Sequence, residues 1–159
     1  MILGISLETD RVGIAVRENG KIIYENFSQS TRSGVEHLPE LLTAALSDVQ
    51  TKGLNFEVIG IMVGPGPYSG LRGAVAFAQG LAISSQTPIV PLDSLGAFVD
   101  EPKTPTSLPP CQLRPSQIAE LAEDFHRAGK SIPCEKLRPI YGKPLKLKNY
   151  VPKVTPRVS

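Results

Sequence analysis

The sequence predicts an α/β protein with a mixed central sheet, antiparallel at its start and parallel later. Three short apolar segments open the chain with very short links between them, which is typical of antiparallel strands. A later apolar segment at residues 57–63 lacks polar alternation, which indicates a strand buried on both faces beside a parallel neighbour. The 159 residues, 41% hydrophobic and 20% charged, are enough for one domain with its own core.

The three opening strands are predicted at residues 2–7, 12–16 and 21–27. Asn19 and Gly20 separate the second strand from the third. This pair predicts a two-residue hairpin turn, because both of its positions must adopt positive φ angles. The link between the first and second strands is similarly short, so we expect an antiparallel meander.

Two helices are predicted after the three opening strands. Apolar residues at helical spacing predict the first over residues 36–50, and the second, rich in glycine and alanine, covers residues 70–85. Each internal glycine costs about 1 kcal/mol of helix propensity relative to alanine, which suggests that another backbone packs closely against the second helix. A strand at residues 87–91 and the start of a third helix at residues 94–99 are expected to follow.

The second part of the chain begins with five prolines between residues 100 and 115, which predict a connector without regular structure. An amphipathic helix over residues 116–128 follows, with Gly129 as its terminator. The predicted organisation is a lobe, a connector, a C-terminal helix with its closing segment, and a tail, at residues 1–99, 100–115, 116–142 and 143–159.

The net charge of +2 is unevenly distributed. Residues 1–135 carry ten basic and fifteen acidic side chains, whereas residues 136–159 carry seven basic side chains and no acidic one. A basic tail can contact phosphate groups without sequence specificity. The alternative is a disordered, solvated tail, which its prolines and scarce aromatic residues favour.

The remaining composition predicts a cytoplasmic protein that does not enter a membrane. No apolar run reaches the roughly 18 residues of a bilayer span, and the start of the chain lacks the basic leader and cleavage site of a signal peptide. Cys111 and Cys134 have no partner ligands at zinc-site spacing. We therefore expect reduced thiols.

A glycine-rich loop joins the strand at residues 57–63 to the second helix, where backbone amides and the helix dipole can receive an anion. A Walker loop would need a lysine after its last glycine, but Leu71 stands there, and Pro65 and Pro67 lack N–H donors. The loop is therefore either an anion site or a rigid turn that positions the helix on the sheet. Its candidate residues are Gly64, Gly66, Ser69, Gly70 and Arg72.

No catalytic group or metal site can be assembled from the sequence. His37 and His126 lack an evident nucleophile partner. The carboxylates of Asp93, Asp100 and Glu101 are interpreted as loop solvation and helix capping.

The segment from Gly64 to Arg72, continuing to Ala82, resembles the hallmark of the TsaB family, which usually reads Gly-Pro-Gly-Ser-Phe-Thr-Gly-Leu-Arg. Here Pro67, Tyr68 and Ser69 replace Ser-Phe-Thr. Further segments resemble the family in the same order: residues 1–5, 36–37, 88–95 and 139–142.

This resemblance implies an actin-like, ribonuclease-H-like lobe with a five-stranded mixed sheet. It also implies a non-catalytic subunit that binds and supports a TsaD-type enzyme, which transfers threonylcarbamoyl to adenosine 37 of certain tRNAs. The first two helices would form the shared face of a homodimer or of the heterodimer, here Leu38, Leu41, Leu42, Leu46, Leu71, Val75, Ala78 and Ala82. No cofactor or metal is implied for this chain, since ATP and magnesium would be bound mainly by the partner. A TsaE-type ATPase would be a further partner, and tRNA would be contacted indirectly.

Two departures from the family pattern bear on function. The family usually has Asp-Thr-Ser after the first strand, whereas this chain has Ser6-Leu7-Glu8, and the carboxylate of Glu8 would repel phosphate. The family's second lobe would fall between residues 99 and 111, where only the connector stands. Two alternatives therefore remain beside the scaffold: an actin-like nucleotide-binding phosphotransferase or peptidase-like protein, and an inactive remnant.

Overall fold

The computed structural model describes residues 1–8, 10–29, 34–66, 68–102 and 108–141. Within these residues, five strands form one sheet in the order β3-β2-β1-β4-β5. The first three strands pair antiparallel, and β4 pairs parallel with both β1 and β5. The strands are β1 (Ile2–Leu7), β2 (Arg11–Glu18), β3 (Lys21–Gln29), β4 (Val58–Gly64) and β5 (Ile89–Asp93). The predicted mixed sheet with an antiparallel opening is confirmed.

The hairpin between β2 and β3 forms at the predicted dipeptide. Asn19 has φ 50° and Gly20 has φ 76°, as a turn with two left-handed central residues requires. Glu18 pairs directly with Lys21 across the turn.

Three α-helices lie in the described part of the chain: α1 (Leu38–Asp48), α2 (Tyr68–Ser85) and α3 (Pro115–Arg127). A short 3₁₀ turn, Val35–His37, leads into α1, whose first turn contains a proline. α3 starts at a proline too, and the side-chain oxygen of Gln117 accepts the backbone N–H of Arg114 at 2.9 Å, which caps the helix.

The central strands β1 and β4 are buried along their whole length, because helices cover both faces of the sheet. α3 lies so close to one face of the sheet that two strand positions have no room for a side chain. A Cβ added to Gly60 would lie only 2.6 Å from the Cβ of Ala122, and a Cβ added to Gly4 would lie 2.7 Å from the amide nitrogen of Ala119. α1 packs against β2 and β3, and α2 packs against β4 and β1. Glycine in the two central strands therefore lets α3 lie directly on the sheet.

The predicted start of a helix at residues 94–99 is wrong. The carboxylate Oδ1 of Asp93 accepts the backbone N–H groups of Leu95 and Ala97, both at 2.9 Å, and Gly96 has φ 85°. The N–H of Gly96 also donates to the carbonyl of Asp93, and the N–H of Asp93 donates to the carbonyl of Ala97, so the chain reverses in a tight turn in place of a helix.

The segment after α3 returns along the sheet and α2. Ile132 exchanges backbone hydrogen bonds with Ile89 of β5, and the N–H of Ile140 donates to the carbonyl of Val63 in β4 at 2.7 Å. The predicted tail at residues 143–159 and the middle of the predicted connector, residues 103–107, lie outside the described residues. Among those that are described, no helix is both long and apolar enough to cross a bilayer.

Candidate functional site: the outward side of helix α2

The glycine-rich loop is held by contacts within the chain. The carbonyl of Gly64 accepts the backbone N–H of Ser94 at 3.1 Å, and Gly64 has φ 125°, with the carbonyl of Ile140 against the position of a Cβ. Gly70 is buried, whereas Gly66, Ser69 and Arg72 are exposed. These contacts favour the interpretation of the loop as a rigid turn. Gly64, its first glycine, binds Ser94 in the turn after β5 and packs against Ile140 in the segment after α3.

The eight residues predicted to bind a partner lie inward. Seven of them are at most 7% exposed in this single chain, and Leu46 is half-buried. An amphipathic helix buries its apolar stripe in its own core first, and a side chain buried there cannot contact a second protein. Burial in the core argues against direct contact between these residues and a partner, and partner binding by the two helices stays a prediction. The buried seven are Leu38, Leu41, Leu42, Leu71, Val75, Ala78 and Ala82.

The opposite side of α2 carries an exposed stripe of four residues, Arg72, Ala76, Gly80 and Ile83, which we call the outward stripe. Ile83 is 66% exposed, the highest value among the large hydrophobic residues that the structure describes as exposed. A Cβ on Gly80 would find nothing within 4 Å. The spacing of three and four residues could have identified this stripe in the sequence, but the buried stripe beside it is the more apolar one.

An apolar groove of about 530 Å³ lies next to Ile83. It runs between the C-terminal half of α2 and the segment after α3, and its lining includes Ala82, Pro88, Ile132 and Pro133. Gln79 fixes that segment against α2, since its amide Nε2 donates to the carbonyls of Cys134 and Leu137, both at 3.1 Å. The groove and Ile83 form one continuous surface that is mainly apolar, although its lining also includes polar residues and one acidic residue: Gln86, Thr87, Ser131 and Glu135.

The end of β1 carries a carboxylate at the position where the resemblance places a phosphate loop. One oxygen of Glu8 accepts a hydrogen bond from Nε of Arg11 at 2.8 Å, while the other is buried without a hydrogen-bond partner. The hydrogen bond that Arg11 donates to Glu8 raises the pKa of Arg11, whose guanidinium lies 4.4 Å from the ring centroid of Phe27. Burial raises the pKa of the nearby Cys111 thiol, and the carboxylates of Glu8 and Asp93 add to the rise.

Two further carboxylates hold α3 on the sheet. Glu123 binds Nε of Arg17 and Nη2 of Arg127, both at 2.6 Å, and the hydrogen bond from Arg17 keeps the pKa of Glu123 below its ordinary value. Glu25 accepts the backbone N–H of Ser116 and binds Arg114. Burial raises the pKa of Glu25, but the hydrogen bonds from Arg114 and Ser116 outweigh this and lower it. No group of three or more histidine, cysteine or acidic residues in the described ranges is placed to hold a metal ion.

Comparison with solved structures defines the class of fold. YeaZ from Pseudomonas aeruginosa superposes with a TM-score of 0.72 at 15% identity, over 88% of this chain and 98% of that one. RuvC from Thermus thermophilus superposes with a TM-score of 0.51 at 11% identity, over 83% of this chain and 98% of that one. The sheet order and these neighbours show a ribonuclease-H-like, actin-like fold, which confirms the predicted fold class.

Comparison of the sequence then gives the family. The family model described as TsaD, tRNA N6-adenosine threonylcarbamoyltransferase, matches residues 26–114, more than half of the chain. The chain belongs to this family and is a TsaB-like member of it.

Two relatives illustrate the match. The tRNA N6-adenosine threonylcarbamoyltransferase of Prosthecochloris aestuarii is 24% identical over 112 residues, covering 62% of this chain and 32% of that protein. The tRNA threonylcarbamoyladenosine biosynthesis protein TsaB of Buchnera aphidicola is 24% identical over 101 residues, covering 64% of this chain and 45% of that protein. The chain thus spans about a third of the transferase relatives that it matches, and less than half of the TsaB relative.

Proposed function

We propose that the chain is a non-catalytic subunit that binds a TsaD-type enzyme and supports its transfer of threonylcarbamoyl to adenosine 37 of tRNA. Membership of the family and the relative named as a TsaB biosynthesis protein support this role. The surface that would bind the enzyme is the C-terminal half of the outward stripe, Gly80 and Ile83, together with the adjoining apolar groove.

The observation that carries the proposal is the combination of Gly80 and Ile83 on one exposed helical face. Glycine inside a helix costs about 1 kcal/mol relative to alanine. Nothing within 4 Å requires a glycine at position 80, whereas Gly73 is required because a Cβ there would lie 2.5 Å from Cγ1 of Val35. A second protein whose backbone packs against Gly80 and covers Ile83 explains both residues.

Charge at Ile83 tests the surface, with Leu95 as the matched control. Ile83→Glu places a carboxylate in the proposed contact, and Leu95→Glu makes the same change at a position 61% exposed in the turn after β5. Capture of a co-expressed TsaD-type protein from the same cell should be lost with Ile83→Glu and kept with Leu95→Glu. Both variants should unfold at the same urea concentration as the parent chain. Equal capture by the two variants would count against the surface.

In isolation, the same surface would form a homodimer, as the resemblance implies. Light scattering on a size-exclusion column should then give a dimer mass for the parent chain and for Leu95→Glu. Ile83→Glu should give a monomer mass. A parent chain that stays monomeric at every concentration would contradict the homodimer.

The chain would bind no nucleotide of its own, and ATP with magnesium would be held mainly by the catalytic partner, with a TsaE-type ATPase as a further member of the complex. Glu8 supports this assignment, because its carboxylate lies at the end of β1, where a bound phosphate would meet a like charge. Isothermal titration of the isolated chain with ATP and magnesium should give no heat of binding. Saturable heat would instead support an actin-like nucleotide-binding protein.

A further inference from the structure

Two opposite charges stand three residues apart on the segment after α3, each beside a different groove of α2. Glu135 lines the apolar groove next to Ile83, at the C-terminal half of the helix. Arg138 lines a second groove of about 530 Å³ at the N-terminal half, and both charged residues are exposed. The surface around α2 therefore carries a negative charge towards one end of the helix and a positive charge towards the other.

The two charges do not neutralise each other. Nη1 of Arg138 donates to the backbone carbonyls of Glu135 at 2.8 Å and Leu137 at 2.7 Å, so the guanidinium binds the main chain of Glu135 and not its carboxylate. In the part of the chain that the structure describes, neither residue takes part in an ion pair. A positioned guanidinium and an exposed carboxylate are both suited to an ion pair with another molecule.

Hydrogen bonds from Gln79 fix the level of this segment along α2. The amide Nε2 of Gln79 donates to the carbonyls of Cys134 and Leu137, both at 3.1 Å. Glu135 follows the first of these carbonyls in the chain, and Arg138 follows the second. The point midway between the two charges therefore lies at about the level of Gln79.

The outward stripe is centred on the same level, since Ala76 and Gly80 are the stripe residues nearest to Gln79 in the sequence. A two-fold axis through this level, perpendicular to α2, would place Ala76 of one copy opposite Gly80 of the other in an antiparallel pair of helices. The same rotation reverses the segment after α3, so Arg138 of each copy would face Glu135 of the other. Ile83 of each copy would then lie beside the second groove of the other copy.

We propose that two copies of this chain recognise each other through reciprocal ion pairs between Arg138 and Glu135, on one flank of an antiparallel contact between their α2 helices. The inference rests on the homodimer of the proposed function and adds the residues that select a second copy. A two-fold interface presents every residue twice, so a patch with both signs of charge is complementary to itself. A uniformly acidic partner would instead meet a like charge at Glu135.

Charge reversal tests the pairing, with sedimentation velocity over a dilution series of the full chain as the measurement. Glu135→Arg and Arg138→Glu each place like charges opposite each other at two points of the dimer. Each variant alone should therefore raise the dissociation constant of the dimer by about 100-fold. In an equimolar mixture of the two variants, every pair of the mixed dimer joins unlike charges. The mixture, like the double variant E135R/R138E, should return to within about threefold of the parent value.

Lys52→Glu is the matched control. It makes the same reversal of charge at an exposed residue that lines neither groove, and it should dimerise as the parent chain does. Arg138→Glu also loses two hydrogen bonds to the main chain. Recovery of the dimer on mixing would show that this loss is not what separates the two copies.

Three results would overturn the proposal. The first is a mixture of Glu135→Arg and Arg138→Glu that stays monomeric where the parent chain is a dimer. The second is an equal loss of the dimer in Lys52→Glu and Arg138→Glu, since association would then follow net charge alone. The third is a monomeric parent chain whose capture of the enzyme is lost in Arg138→Glu, which would assign the guanidinium to a carboxylate on the enzyme.

Failure of the pairing can be told apart from failure of the proposed function. A parent dimer that Ile83→Glu dissociates, together with a mixture that stays monomeric, would keep the α2 surface and remove the ion pairs. A chain that never captures the enzyme, but whose two variants dimerise when mixed, would keep the ion pairs and remove the role as a subunit of the enzyme.

Discussion

Gly80→Ala should stabilise the isolated chain and weaken its binding to a partner, two effects of opposite sign from one methyl group. In the isolated chain, the new Cβ meets no atom within 4 Å. The change therefore brings the helix-propensity gain of about 1 kcal/mol with no steric cost. For a chain of 159 residues this corresponds to a rise of about 2–4 °C in the melting temperature.

In the complex, the same methyl group would stand between two closely packed backbones. Overpacking of this kind costs about 1–3 kcal/mol, which corresponds to roughly 5- to 140-fold weaker binding. Calorimetric melting of the isolated chain and titration against a TsaD-type protein measure the two effects separately.

Gly73→Ala is the internal comparison on the same helix. Its Cβ would lie 2.5 Å from Cγ1 of Val35, so this variant should lower the melting temperature. A melting temperature of Gly80→Ala below that of the parent chain would show that the space around position 80 is not open. Binding of the partner by Gly80→Ala that is as tight as binding by the parent chain would show that no second backbone packs there.

Three further substitutions test the fold that positions this surface. Gly60→Ala should destabilise the chain by about 1–3 kcal/mol, because the added Cβ would lie 2.6 Å from the Cβ of Ala122, and adding Ala122→Gly should recover part of this loss. Urea unfolding measures both effects. An unchanged urea midpoint for Gly60→Ala would contradict the close approach of α3. Glu123→Gln should cost about 1–3 kcal/mol at pH 7, because it removes the charge that pairs with Arg17 and Arg127. Because the pKa of Glu123 is lowered in the folded chain, its carboxylate stabilises the fold above pH 4.5, the ordinary pKa, and this stabilisation is lost as the pH falls through the lowered pKa. A difference in stability between the parent chain and Glu123→Gln that stays constant from pH 7 to pH 3 would contradict this. Ala78→Asp buries a charge in the core, so circular dichroism should show an unfolded chain. A variant that stays folded and fails only to capture the partner would instead indicate that Ala78 belongs to the interface.

Local patterns in the sequence predicted most of the sheet and its helices, because their causes lie within a few residues. Asn19 and Gly20 supply the two positive φ angles of the hairpin. The uninterrupted apolar run of β4 reports burial on both faces, and the structure places the strand between two parallel neighbours. The helix expected after β5 fails because the chain reverses there: the N–H of Gly96 donates to the carbonyl of Asp93, the N–H of Asp93 donates to the carbonyl of Ala97, and Gly96 has a left-handed φ of 85°.

The functional surfaces were harder to predict, because they depend on which side of α2 faces the sheet. The more apolar stripe, which includes Leu71 and Ala78, looks like an interface when the helix is considered alone. In the folded chain the sheet takes that stripe, and a weaker one with Gly80 and Ile83 remains exposed.

The force that would stabilise the proposed complex with the enzyme can be tested with salt. The contact at Ile83 and the apolar groove would gain free energy by removing apolar area from water, which rising salt does not weaken. Size-exclusion chromatography of the mixture of chain and enzyme at about 0.05 M and about 0.5 M salt should therefore show the enzyme bound to this chain at both salt concentrations. Release of the enzyme at the higher salt concentration would show that charged contacts hold the complex, and Gly80 and Ile83 would then need another explanation.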